Sequence, residues 1–347
     1  MMRRSWVRFA IAAVGLSVAD AWHVEGQSVS NNPYQAVHGW ERLPEGMRTG
    51  VPSGAYPDPD GRHLWILTRC GANHCAGSTQ DPILKLDLEG NLVDSFGAGL
   101  FSWPHGFFLD HEGFLWVTEG APSGDPREVQ GIRRGMGHQV FKLNQRGEVV
   151  MTLGVRGVAG EGPDHFNGPS AVLVTPNGEI WVADGHRGGN NRVVKFSPRG
   201  EFLLQIGGGV DDASGDPGKL NDPHDLTMDS QGRLIVADRG NNRVQLFDQQ
   251  GNFLHVWTQF GRPSTVFVDR GDLIYVGDGM SDDNWNPGWE RGIRIGDART
   301  GWITAFIPDS EAPVGTGVEF LGVDFAGNIY SGEVGRERLV KYVRFRP

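Results

Sequence analysis

Apolar residues along this chain fall in short runs separated by Asp-Gly, Asn-Gly and Glu-Gly turns, and long stretches of helical spacing are nearly absent. That pattern predicts β-hairpins joined by tight turns. The clearest example covers residues 222–247, DPHDLTMDSQGRLIVADRGNNRVQLF: a strand, an Asp-Ser-Gln-Gly turn, a second strand ending at Asp238, a short loop and a third strand. Five other stretches repeat it, with second strands ending at Thr68, Glu119, Asp184, Asp278 and Glu333. Six such units in 347 residues each have the size of a four-stranded blade, so an all-β, six-bladed β-propeller is expected. Residues 34–43 read as a lone strand, and the last unit, residues 318–345, holds only three. Pairing the N-terminal strand onto that last blade closes the ring and covers an open sheet edge.

In a propeller the first strand of each unit lines the central channel. Counting fourteen residues back from each second-strand end gives Gly54, His105, Ser170, His224, Ser264 and Glu319. Alternate units therefore carry His105, His224 and Glu319, all able to ligate a metal, and the others carry Gly or Ser, which leave room. Alternate blades of a sixfold ring stand roughly 120° apart, so the three side chains aim at one place with a coordination position open. A lone Pro-His at a strand start reads equally as a hydrogen-bonded structural histidine. Two at equivalent positions, with an acid completing the trio, point to a catalytic metal. Zinc suits this set first, and iron or manganese also fit it.

Arg69 and Arg239 directly follow second-strand ends. There a guanidinium fork clamps a substrate carboxylate or pairs with a neighbouring acid. His186 is a candidate base or holder of a bound water, or else a surface-loop histidine. Asp184 with Arg192, and Asp238 with Arg243, read as structural ties between strands.

Composition narrows the setting. Arg3, Arg4 and Arg8 precede an apolar run and an Ala19-Asp20-Ala21 triplet, the pattern of a signal peptide cleaved after Ala21. Residues 1–21 are thus expected to be a leader, 22–33 a flexible mature N-terminus and 34–347 one propeller domain, exported to a periplasm or secreted. The apolar run falls short of the about 20 residues that a membrane-spanning helix needs, although an uncleaved anchor is the alternative. Cys70 and Cys75, the only cysteines, are expected to form a local disulfide. The formal charge is −10, and the leader would remove three arginines against one aspartate. Such an acidic chain has no electrostatic case for nucleic acid or an anionic membrane. Insertions at 70–81, 121–137 and 279–290 all follow second strands and so mark one rim as the binding face.

The repeats ADGHRGGNNRVVKF and ADRGNNRVQLF resemble the NHL family of propeller repeats, over most of the mature chain and most clearly over residues 162–269. The stretches LTRCG, FSWPHGFFLDHEGFLWVTEG, GHQVFKLN, ADGHRGGNNRVVKFSPRGEFLLQIG and DPHDLTMD further resemble the peptidyl-alpha-hydroxyglycine alpha-amidating lyases. That resemblance implies a catalytic zinc held by three channel histidines. It also implies channel arginines and a tyrosine that help cleave a hydroxyglycine to a peptide amide and glyoxylate. His105 and His224 match two of the histidines, and Arg69 and Arg239 match the arginines. Glu319 stands at the third histidine, and His186 stands at the tyrosine. Phe320 occupies the place of an aspartate associated with calcium, which puts a calcium site in doubt. The resulting expectation is a monomeric, metal-dependent carbon–nitrogen lyase acting on a small molecule or peptide that bears a carboxylate. From another class, a non-catalytic exported propeller would bind a protein or glycan through its rim loops. A calcium-dependent, lactonase-like propeller would need oxygen ligands that Ser170 and Ser264 supply poorly.

Overall fold

The computed structural model describes residues 31–120, 135–208, 215–311 and 315–345. Its strands form six four-stranded antiparallel sheets, five of them meanders in chain order: residues 52–96, 104–153, 169–207, 223–257 and 263–308, blades 1 to 5. Blade 6 takes three strands from residues 318–344 and its outermost from the N-terminus. Tyr34–His38 pairs antiparallel with Arg338–Arg344, Tyr34 opposite Arg344 and His38 opposite Val340. The closing strand therefore sits where the unmatched ends of the chain required it. The expected leader, and residues 22–30 of the expected flexible N-terminus, lie outside the described residues, as do residues 121–134 of the second insertion. Residues 31–33 are tied down: Phe306 N–H donates to the Asn31 carbonyl at 3.0 Å and Phe345 N–H to that of Pro33 at 2.9 Å.

Acidic turn residues explain why the hairpins form and how the blades lock. Asp110 Oδ1 accepts the Glu112 and Phe114 amides at 3.0 and 2.8 Å, closing its turn. Its Oδ2 accepts Trp116 Nε1–H at 2.9 Å. Asp58 takes Trp65 Nε1–H at 2.9 Å, while Asp269 and Asp324 take the hydroxyls of Tyr275 and Tyr330 at 3.2 and 3.1 Å. These rings are essentially fully buried, so each polar tip is satisfied while its apolar body fills the core. The second-strand ends tie the other rim. Asp184 accepts Arg192 Nε–H at 3.0 Å and Asp238 accepts Arg243 Nε–H at 2.7 Å, beside amides of the preceding loops. Both pairs are ties between strands. Cys70 and Cys75 form the expected disulfide.

The inner strands begin alike. Pro52, Pro104, Pro169, Pro223 and Pro263, with Val318 in blade 6, each pair with the end of the second strand, and a bulge follows at once. Proline is tolerated there because an edge strand needs no donor at its first residue. The bulge leaves the next residue unpaired and re-aims its side chain. In blade 1 that residue is Ser53. Pro52 and Thr68 stand sixteen positions apart, against fifteen in the other five blades, so the count from Thr68 lands one residue late, on Gly54. Gly54 has a packing role instead, because a Cβ there would come within 2.3 Å of Phe107 Cβ.

Closure yields a stability prediction. Trp40 follows the closing strand, is 7% exposed and meets Tyr330 edge-on at 5.1 Å. Trp40→Ala is expected to cost about 3–5 kcal/mol. Deleting residues 31–43 is expected to lower the melting temperature of the whole propeller in one transition, measured by calorimetry. A truncated chain that melts with the parent would show that this strand does not hold the ring.

Candidate metal centre

The bulge residues of blades 2 and 4, His105 and His224, stand together at the head of the channel, and that of blade 6, Glu319, reaches His224 but is not among the ligand atoms that lie within 4.8 Å of one another. His105 and His224 are fully buried. The Nδ1–H of His105 donates to the Ser170 carbonyl at 2.8 Å, and that of His224 to the Ser264 carbonyl at 2.5 Å. Each imidazole is thus oriented by the bulge residue of the next blade, which sets its tautomer and leaves the lone pair on Nε2. Neither Nε2 has a hydrogen-bond partner among the described residues, and neither does Glu319 Oε2, though all three atoms are buried. Glu319 Oε1 lies 3.1 Å from His224 Nε2, within ion-pair distance.

His186, expected as a base, a water holder or a surface residue, is buried beside them at 3% exposure. One nitrogen from each of His105, His186 and His224 lies within 4.8 Å of the others. Its ring stacks on Trp103, 5.4 Å between centroids. Arg239 Nη2 lies 3.1 Å from its Nδ1, and Asp222 Oδ1 stands 3.6 Å from the same nitrogen. By distance the triad is the three imidazoles, and Glu319 approaches it through His224 alone.

Arg239 opens a short 3-10 turn, Arg239–Asn241, directly after the second strand of blade 4. Its Nε–H donates to Asp222 Oδ2 at 2.9 Å and its Nη1–H reaches Glu319 Oε1 at 3.4 Å. It thus does pair with acids, yet with the His186 contact three of its five N–H bonds are engaged among the described residues. Arg69, 1% exposed, lies over the Trp103 ring at 4.2 Å and donates to the Pro104 carbonyl at 3.1 Å and Asn73 Oδ1 at 2.8 Å.

Burial dominates the charge states. It holds His105 well below the ordinary imidazole range, helped by His186, His224 and Arg69. It pushes His186 down to about 3 against the pull of Asp222, with Arg239 and His224 adding to the depression. For Glu319 burial opposes ionisation but is outweighed by His224 and Arg239, and for Asp222 by Arg239 and His186, so both stay well below the usual carboxylate range.

Asp222, Trp103 and Arg262 escaped the sequence reading. All three occupy one register, the residue just before the proline of an inner strand. Reading one layer above the bulge would have found them. Arg262 Nη1–H donates to the Arg239 carbonyl at 3.0 Å. Phe320, where an aspartate was looked for, packs its ring 5.1 Å from His105 and offers no oxygen for calcium.

Fold and site together define an all-β, six-bladed propeller with buried imidazoles at one channel end, and the NHL repeat matches residues 166–196 and 220–247. The chain therefore carries NHL repeats within a six-bladed propeller, and it resembles the peptidyl-alpha-hydroxyglycine alpha-amidating lyases. It is 37% identical over 167 residues to a probable peptidyl-alpha-hydroxyglycine alpha-amidating lyase of Caenorhabditis elegans, covering 48% of this chain and 42% of that protein. It is 34% identical over 255 residues to peptidyl-glycine alpha-amidating monooxygenase A of Xenopus laevis, covering 67% and 26%. A similar likeness, 36% over 183 residues covering 50% and 48%, joins it to NHL repeat-containing protein 3 of Mus musculus. The matches thus span less than half the length of each relative. Among solved structures, virginiamycin B lyase of Staphylococcus aureus shares the fold at a TM-score of 0.54 and 12% identity, over 90% of this chain and 99% of that one. A gluconolactonase of Xanthomonas campestris does so at 0.56 and 15%, over 91% and 96%.

Glu119 supplies a pH test of this end of the channel. Burial pushes its carboxyl up to about 7, against the Trp103 and Ser102 amides that it accepts and the nearby Arg69. A raised folded value means that its contribution is complete below the ordinary 4.5 and is lost as pH climbs through 7. Glu119→Gln, which cannot ionise, is expected to gain about 3 kcal/mol on the parent between those limits. Denaturant unfolding at pH 4.5 and pH 8 measures it, and a gap that does not change with pH would contradict the assignment.

Proposed function

We propose that the chain is an exported, metal-dependent lyase of the peptidyl-alpha-hydroxyglycine alpha-amidating type, cleaving a carbon–nitrogen bond in a small carboxylate-bearing substrate. The observation that carries this reading is the set of buried, unpartnered acceptors, His105 Nε2, His224 Nε2 and Glu319 Oε2. Two neutral imidazoles and a carboxylate are a donor set that fits zinc, iron or manganese with a position left open. His186 is the alternative third ligand: it lies within 4.8 Å of His105 and His224, while its Nδ1 faces Arg239 and Asp222. Export draws on the N-terminal leader pattern and on the Cys70–Cys75 disulfide, which persists in oxidising compartments. No helix among the described residues is long and apolar enough to cross a membrane.

His105, His224 and Glu319 would hold the metal, and when bound it supplies a Lewis acid that lowers the pKa of a substrate hydroxyl. Arg239, fixed by Asp222, turns its remaining N–H bonds to the substrate carboxylate, and Arg69 flanks it. His186 holds a substrate oxygen or a water. The hydroxyl proton passes to water, the carbonyl of glyoxylate forms, and the electron pair of the carbon–nitrogen bond goes to nitrogen, which takes up a proton. The second reading is a non-catalytic propeller that binds a protein or glycan through its rim loops. That reading leaves the three unpartnered atoms without a purpose.

Protein purified without chelators is expected to contain one transition metal per chain by elemental analysis, and His105→Ala with His224→Ala to lose it. With a peptidyl-alpha-hydroxyglycine, the parent should release glyoxylate, and Arg239→Gln should lower kcat/KM on the order of a hundredfold. Protein without metal and without glyoxylate release would overturn the reading.

A further inference from the structure

Beneath the metal centre the channel narrows to a space of about 30 Å³, bordered by Phe107, Asp225 and Phe320. Tyr56, Phe108 and Phe267 then close it, the tyrosine ring meeting the two phenylalanines edge-on at 5.0 and 5.7 Å. Beyond this wall, where the inner strands end, the channel opens into a second cavity of about 600 Å³. That volume lies within the roughly 300–1,000 Å³ of small-molecule sites. The rings of Tyr56, Phe108 and Phe267 border both this cavity and the narrow space above it.

The chemistry of this cavity differs from that of the metal centre. Tyr56, Phe108 and Phe267 form its inner end, and Phe325, 46% exposed, stands at its side. Three carboxylates border it, but each is committed to the fold: Asp110 to Trp116 and turn amides, Asp269 to Tyr275, and Asp324 to Tyr330 and Asn328. The two guanidiniums on its border are not so committed. Arg270 lies 3.8 Å over the Phe325 ring, and neither it nor Arg344 forms an ion pair among the described residues. An apolar, aromatic chamber with two unpaired cations at its mouth suits a ligand with an aromatic body and one anionic end.

We propose that this cavity binds a small aromatic carboxylate, its ring against Tyr56, Phe108, Phe267 and Phe325 and its carboxylate between Arg270 and Arg344. The site rests on no part of the lyase reading. Calorimetric titration with naphthalene-1-carboxylate tests it. The parent should bind one equivalent, and saturating glyoxylate should not displace it. Arg270→Gln with Arg344→Gln, both exposed and outside the core, should weaken binding about a hundredfold, about tenfold for each charge-assisted hydrogen bond lost. The same pair should leave the weaker binding of naphthalene-1-methanol unchanged. Ala326→Trp, an exposed wall residue, should fill the chamber and abolish binding of both probes. No saturable binding to the parent, displacement by glyoxylate, or affinity indifferent to the arginine pair or to Ala326→Trp would each overturn the site.

Discussion

The constraint on which this propeller's chemistry depends is the bulge at the head of each inner strand. A strand paired without interruption turns alternate side chains to opposite faces of its sheet, and an inner edge strand then aims none of them at the axis. Leaving one residue unpaired after the proline releases a single side chain per blade. Six blades supply six such positions, filled by Ser53, His105, Ser170, His224, Ser264 and Glu319. The serines do more than leave room, since the carbonyls of Ser170 and Ser264 hold the two imidazoles of the preceding blades. The groups that orient the two imidazoles are therefore supplied by the same structural device that presents them, one blade further on.

This arrangement runs against stability taken alone. A buried acceptor without a partner costs about 1–3 kcal/mol, and three of them meet at one point. Around them Asp222, Arg239 and Glu319 form a buried charge chain whose members are worth little as a stabilising device and costly to separate. The fold carries the burden through its other ties, among them the ring-to-aspartate bonds of blades 1, 2, 5 and 6 and the closing strand on blade 6. Only then can the channel head keep polar groups in a state that packing alone would not choose.

Much of this was legible in the sequence, because the signals were local and repeated. Turn acids, strand-ending acids and Pro-His steps recur at nearly constant spacing, so blade number, closure and the candidates His105, His224 and Glu319 follow from counting. The count failed where one hairpin is a residue longer, in blade 1, since spacing from one strand end cannot reveal an extra turn residue. His186 was ambiguous for a different reason. Its loop has no periodicity, and only the fold brings it against Trp103 and Arg239, residues of two other blades. Asp222 went unread because its partner Arg239 is seventeen positions away and no local pattern links them.

The central claim is that one cation is shared by two imidazoles and one carboxylate drawn from alternate blades. Anomalous diffraction at the metal's absorption edge, from crystals grown without chelator, tests it most directly. The account predicts one peak within bonding distance of His105 Nε2, His224 Nε2 and Glu319 Oε2, with His186 outside that shell. A peak bound by three imidazoles with Glu319 withdrawn, or no peak at the channel head, would contradict it.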